Sequence, residues 1–132
     1  MPGIEHLLPA GESPQDRLAF ERYKLDIGRG KSLLQLQAVA AEITPQIRLA
    51  WAPRSFTPVR TSAGVFDATV CTIAYHFHKH GERFRTIQAM THAAQEYFRR
   101  ERAQARITTE GLLKFPDGSI YEPSGRIVTY IG

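Results

Sequence analysis

Pro116-Asp117-Gly118-Ser119-Ile120-Tyr121-Glu122-Pro123-Ser124-Gly125-Arg126-Ile127-Val128-Thr129-Tyr130-Ile131 is the stretch that decides the fold. Pro-Asp-Gly-Ser is a strong turn sequence. Proline presets φ, aspartate bonds its own backbone two residues on, and glycine accepts a positive φ. Pro123-Ser124-Gly125 turns the chain a second time. Ile120-Tyr121 fits one short strand, and residues 126–131 form the clearest strand of the chain, rich in β-branched and aromatic side chains. Residues 106–109 and 112–115 also have strand composition. Short strands joined by tight turns predict an antiparallel meander at the C-terminus. In an ideal last strand Ile127, Thr129 and Ile131 share one face, and Arg126, Val128 and Tyr130 share the other.

Upstream of the meander the pattern is helical. Thr86 is an N-cap candidate for a helix running to about Arg102, with Met90, Ala93, Ala94, Tyr97 and Phe98 on its inner face. Residues 66–80 fit one further helix, although Thr69, Val70, Thr72 and Ile73 are β-branched and favour strands. Ser32 caps a stripe of Leu33, Leu34, Leu36, Val39, Ala40 and Ile43, and residues 46–51 resume it after Thr44-Pro45. Trp51 reads as a core anchor. Ser13-Pro14 starts an earlier helix that Gly28-Arg29-Gly30 ends, behind an irregular arm over residues 1–12. Residues 53–64 read as a loop or short edge strand in which Arg54 and Arg60 can reach phosphates. Helices first and a meander last give an α+β fold, N-terminal helices packed on a C-terminal antiparallel β-meander.

The chain has 132 residues, enough for a single domain, with a helical part over residues 1–65 and a chemistry-bearing part over residues 66–132. A hydrophobic share of 42% supports a real core. A formal net charge of +4 favours acidic partners such as nucleic acid. The single cysteine, Cys71, excludes an internal disulfide framework. No run approaches the roughly 20 apolar residues of a membrane span. The first residues lack the basic start and apolar stretch of a signal peptide, so an exported chain would need another carrier.

Chemistry concentrates in Tyr75-His76-Phe77-His78-Lys79-His80-Gly81. Histidine takes and gives protons near neutral pH. On a helix His76 and His80 point the same way, with Lys79 on an adjacent part of that surface. On a strand His76, His78 and His80 share a face instead. Two imidazoles and an ammonium suit proton transfer around a phosphate. A solvated C-terminal helix turn closed by Gly81 explains the same residues. A zinc site needs ligands beyond two histidines, and neither an HExxH motif nor a Cys-x-x-Cys follows them. The basic residues Arg99, Arg100, Arg102 and Arg106 either complement a helix dipole or form a footprint on a phosphate backbone.

Together, the histidine segment and Gly125-Arg126-Ile127-Val128-Thr129-Tyr130 resemble the C-terminal ribonuclease domains of bacterial polymorphic and contact-dependent toxins. Those domains belong to the barnase–EndoU–colicin–RelE-like superfamily. They tend to show a His-x-x-Lys-His-Gly motif, a following helix with an aromatic, and a terminal meander. The resemblance covers residues 72–132. It implies a metal-independent endoribonuclease without cofactors that cleaves RNA, often tRNA. It also implies a secreted or delivered effector acting in the target-cell cytoplasm and neutralised by an immunity protein, which charge complementarity makes acidic. By position His76, Lys79 and His80 match the histidine motif, and Arg126, Thr129 and Tyr130 match the terminal strand. Arg126 and Tyr130 share a strand face and are the favoured pair. Only one of Thr129 and Tyr130 is expected to line the site. Two other functions fit the residues: a non-enzymatic basic nucleic-acid-binding module, and an adaptor domain that docks through its apolar helices.

Overall fold

The computed structural model describes residues 32–52, 58–61 and 64–132. The helix expected after Ser13 and the loop residue Arg54 lie outside the described residues. The fold is α+β, with helices followed by a C-terminal antiparallel sheet.

Helix α1 spans Ser32–Glu42 and α2 spans Pro45–Ala50. Thr44 separates them, because its hydroxyl accepts from the Ile47 amide at 3.2 Å and proline occupies the first helical position. Strands β1 (Val59–Thr61) and β2 (Gly64–Phe66) pair antiparallel as a small hairpin, with Arg60 opposite Val65.

One helix was expected over residues 66–80, and the chain divides that stretch instead. Phe66 completes β2, and Asp67 caps α3 (Ala68–His76) by accepting from the Val70 amide at 3.0 Å. The β-branched residues stay helical because Thr69, Val70, Thr72 and Ile73 are all buried, and packing overrides their propensity. After His76 the backbone widens into a π-helical turn over Phe77–Gly81, then tightens into a 3₁₀ turn over Glu82–Phe84. Helix α4 spans Ile87–Glu101 and carries the expected cap, the Thr86 hydroxyl accepting from the Ala89 amide at 3.0 Å.

The four strands of the meander are β3 (Arg106–Ile107), β4 (Leu113–Lys114), β5 (Ile120–Tyr121) and β6 (Ile127–Thr129), paired in that order. They are shorter than the sequence suggests, but all are present. Registers run Arg106 to Lys114 to Ile120 to Thr129 in one cross-strand row. Ile107, Leu113, Tyr121 and Ile127 form the other row. The second row faces α4, since the Tyr121 hydroxyl donates to the Ala94 carbonyl at 2.6 Å and its ring lies 5.1 Å from that of Phe98.

Trp51, Ile73, Ile87, Met90, Tyr121 and Ile127 are fully buried, and the core runs continuously from α1 through α4 to the sheet. Trp51 is the anchor its sequence context suggests, and its indole N–H donates to the Thr91 hydroxyl at 3.0 Å. Among the described residues no helix is long and apolar enough to cross a membrane.

Candidate functional site

His76 closes α3 with its ring turned inward. It is 4% exposed, and its Nδ1 lies 2.9 Å from the Thr72 carbonyl oxygen. A carbonyl only accepts, so Nδ1 carries the proton. The ring packs 5.7 Å from Trp51 and edge-on to Tyr75 at 5.2 Å. His76 was expected to join His80 on one helix face as a proton-transfer group, and its burial departs from that role for a physical reason. Its side chain packs between Trp51 and Tyr75, and the backbone leaves α-helical geometry directly after it, in the π-helical turn.

Lys79 and His80 sit within that wide turn. The exposed Lys79 ammonium donates to the Tyr75 hydroxyl at 2.9 Å and lies 5.2 Å from the centroid of the same ring. His78 points away, into a cavity of about 140 Å³ whose walls include Gln35, Glu42 and Phe77. The turn continues into Arg83 and Phe84. The Arg83 guanidinium donates to the Gly132 carbonyl and lies 4.5 Å over the Phe84 ring. Phe84 in turn packs 6.2 Å from Tyr130. The 3₁₀ turn that follows the histidine-bearing turn therefore packs on Tyr130 and Gly132, directly after β6.

The terminal-strand candidates separate. A bulge in the β5–β6 pairing aligns Ile127 with Tyr121 but Thr129 with Ile120. Successive residues of β5 point to opposite faces, so Ile127 and Thr129 do too. This corrects the ideal-strand alternation. Thr129 joins the half-buried row that carries Lys114. Tyr130 is buried between Phe84 and Tyr97, and burial raises its pKa above the ordinary phenol value. Arg126 is engaged elsewhere: its guanidinium donates to the carbonyls of Arg48, Leu49 and Trp51. The expected partnership of Arg126 with Tyr130 is absent because each group is consumed by packing.

Tyr97 lies between the turn and the meander. Its pKa is pushed up to about 12, first by burial and then by donating its hydrogen bond to the Asp117 carboxylate. Asp117 also accepts from the Ser119 amide at 2.8 Å and hydroxyl at 3.1 Å, and that hydroxyl accepts from the Ile131 amide at 3.1 Å. This network ties the strand end to the β4–β5 turn, and only the turn residues announce it in the sequence.

The four arginines differ in their engagements. Arg99 pairs with Glu96. Arg100 donates to Glu101 at 2.9 Å and lies 5.6 Å over Tyr97. Arg102 stacks 5.4 Å over Phe98, and Arg106 stands opposite Lys114. All four are exposed. Among the described residues no three metal-ligating side chains are grouped. No protein-family model, curated protein or solved structure matches the chain.

Proposed function

We propose that this protein is a metal-independent endoribonuclease of the delivered-toxin class, acting on RNA. The observation that supports the reading is that the 3₁₀ turn directly after Lys79-His80 packs on the end of the terminal strand, through Arg83 on Gly132 and Phe84 on Tyr130. Two segments far apart in sequence thereby meet through the residues that flank them.

RNA carries its own nucleophile. A base removes the 2′-hydroxyl proton, the 2′-oxygen attacks phosphorus, and an acid protonates the departing 5′-oxygen, leaving a 2′,3′-cyclic phosphate. In this reading His80 supplies the imidazole for proton transfer and Lys79 the charge that steadies the phosphate oxygens. Thr129 is the half-buried residue of the strand still open to substrate, on the sheet face opposite the one on which Tyr130 is buried against Phe84 and Tyr97. His76 holds the end of α3 in place through Thr72 and Trp51. A neutralising partner would be acidic, to complement the net charge of +4.

The test is cleavage of total RNA by the purified chain in EDTA, with product ends analysed. Cyclic phosphate ends are expected, with a loss of about 10² to 10⁴ in rate for His80→Ala. His78→Ala should keep the activity. His76→Ala should lower the melting temperature. Full activity in His80→Ala, or cleavage abolished by EDTA, overturns the assignment. Tight, salt-dependent RNA binding with no cleavage would identify a binding module instead.

A further inference from the structure

Arg106 and Lys114 are directly opposed across the β3–β4 ladder. Like charges facing each other in register destabilise a strand pair. Among the described residues neither has an acidic partner, and Arg106 is exposed on the edge strand. Nothing in the packing of the fold requires this repulsion, since the buried row of the sheet is the other one, through Leu113, Tyr121 and Ile127. The row that carries the two cations continues through Ile120 to Thr129. Three inter-strand steps of about 4.8 Å place Arg106 about 14 Å from Thr129.

We propose that Arg106 and Lys114 form a phosphate-backbone track for single-stranded RNA, leading along the sheet to Thr129. This rests on the reading that the protein acts on RNA, and it adds Lys114, which the helix-end arginines did not include. A polyanion lying across the row relieves the repulsion that the free protein tolerates. Phosphate contacts of this kind fix register and carry no base specificity. Arg99 and Arg100 fit the role less well, because each already holds a carboxylate.

The test uses the full chain and a fluorescent 2′-O-methyl oligonucleotide, which lacks the nucleophile and reports binding without cleavage. Binding is measured across a salt series for wild type, Arg106→Ala, Lys114→Ala and the double variant. Each lost contact should lower the slope of log affinity against log salt by about 0.7, which weakens binding about fivefold near 0.1 M salt. The double variant should lose about 25-fold by the same relation. Lys114→Glu turns the pair into opposite charges, so it should melt at or above the wild-type temperature while binding more weakly. If Lys114→Glu fails to fold, the two alanine variants decide the matter. An unchanged salt slope in the double variant overturns the proposal, even if association with a polyglutamate peptide weakens. Weakened binding in a chain that never cleaves RNA would uphold the track and reject the catalytic reading. Intact cleavage with an unchanged slope would do the reverse.

Discussion

The C-terminal meander and the irregular segment over residues 77–86 meet at Arg83 and Phe84, and they treat their backbone differently. Apart from the bulge in the β5–β6 pairing the meander is regular, and its buried polar side chains are hydrogen-bonded. Tyr121 bonds α4, Asp117 holds Ser119 and Tyr97, and Ser119 holds the Ile131 amide. Residues 77–86 depart from regular geometry three times in succession. A π-helical turn is followed by a 3₁₀ turn, and Arg85 then sits at a φ of 66°, in the left-handed region. The Thr86 amide reaches back to the Phe84 carbonyl at 2.7 Å to close that bend. A satisfied platform can hold a neighbouring segment in a conformation the segment would not keep alone, and such strain collects where a protein does its work.

The strongest way to break this comparison is to weaken the platform. Tyr121→Ala removes a fully buried ring packed on Phe98 and Phe115, together with its hydrogen bond to the Ala94 carbonyl. A loss of about 3 to 5 kcal/mol is expected, read from urea denaturation. A loss below about 1 kcal/mol would mean the meander is not the rigid partner.

Arg85→Gly probes the turn, with the opposite sign. Glycine removes a left-handed penalty of about 1 to 2 kcal/mol and adds about 0.5 to 1 kcal/mol of chain entropy. A net gain of roughly 0.5 kcal/mol in stability is expected by the same denaturation measurement. A loss instead would show that the Arg85 side chain stabilises the turn and that the bend stores no strain.

Tyr97 tests the joint between α4 and the meander, and its effect is confined to alkaline pH. Burial and the Asp117 hydrogen bond keep its phenol protonated up to about 12, against 10.0 for the free side chain. The raised group contributes stability that is fully present below pH 10.0 and lost as the pH rises towards about 12. Melting temperatures should fall across that window, and Tyr97→Phe should shallow the fall. Tyr121 and Tyr130 are raised in the same direction and should account for what remains.

The readable parts of this fold are those with local causes. Thr86 caps α4 through its own hydroxyl, and the turns after Phe115 and Glu122 follow from their Asp, Pro and Gly residues. What stayed hidden depends on distant partners. His76 is buried because Trp51 arrives beside it, and Arg126 is consumed because the carbonyls at the end of α2 converge on it. The bulge at Ile120 and Tyr121 hides for a related reason. One extra residue in β6 moves Thr129 to the other face, and residue type does not announce which pairing will slip. The candidate site was thus legible as a pair of motifs, while the roles of individual side chains within it were not.

Arg126 also bears on how the chain folds. It holds the carbonyls of Leu49 and Trp51 across separations of 77 and 75 residues, beside the parallel bridge of Trp51 to Ile127. The helices and the meander can each begin from near neighbours, but the last strand's outer edge stays uncovered until those distant residues return to it. That closure carries the entropy of a long loop and depends on non-local contact, the feature that slows folding across small domains. Until it is complete, β6 is an open strand edge able to recruit another chain. The guanidinium that closes it is thus also what ends the chain's exposure to mispairing.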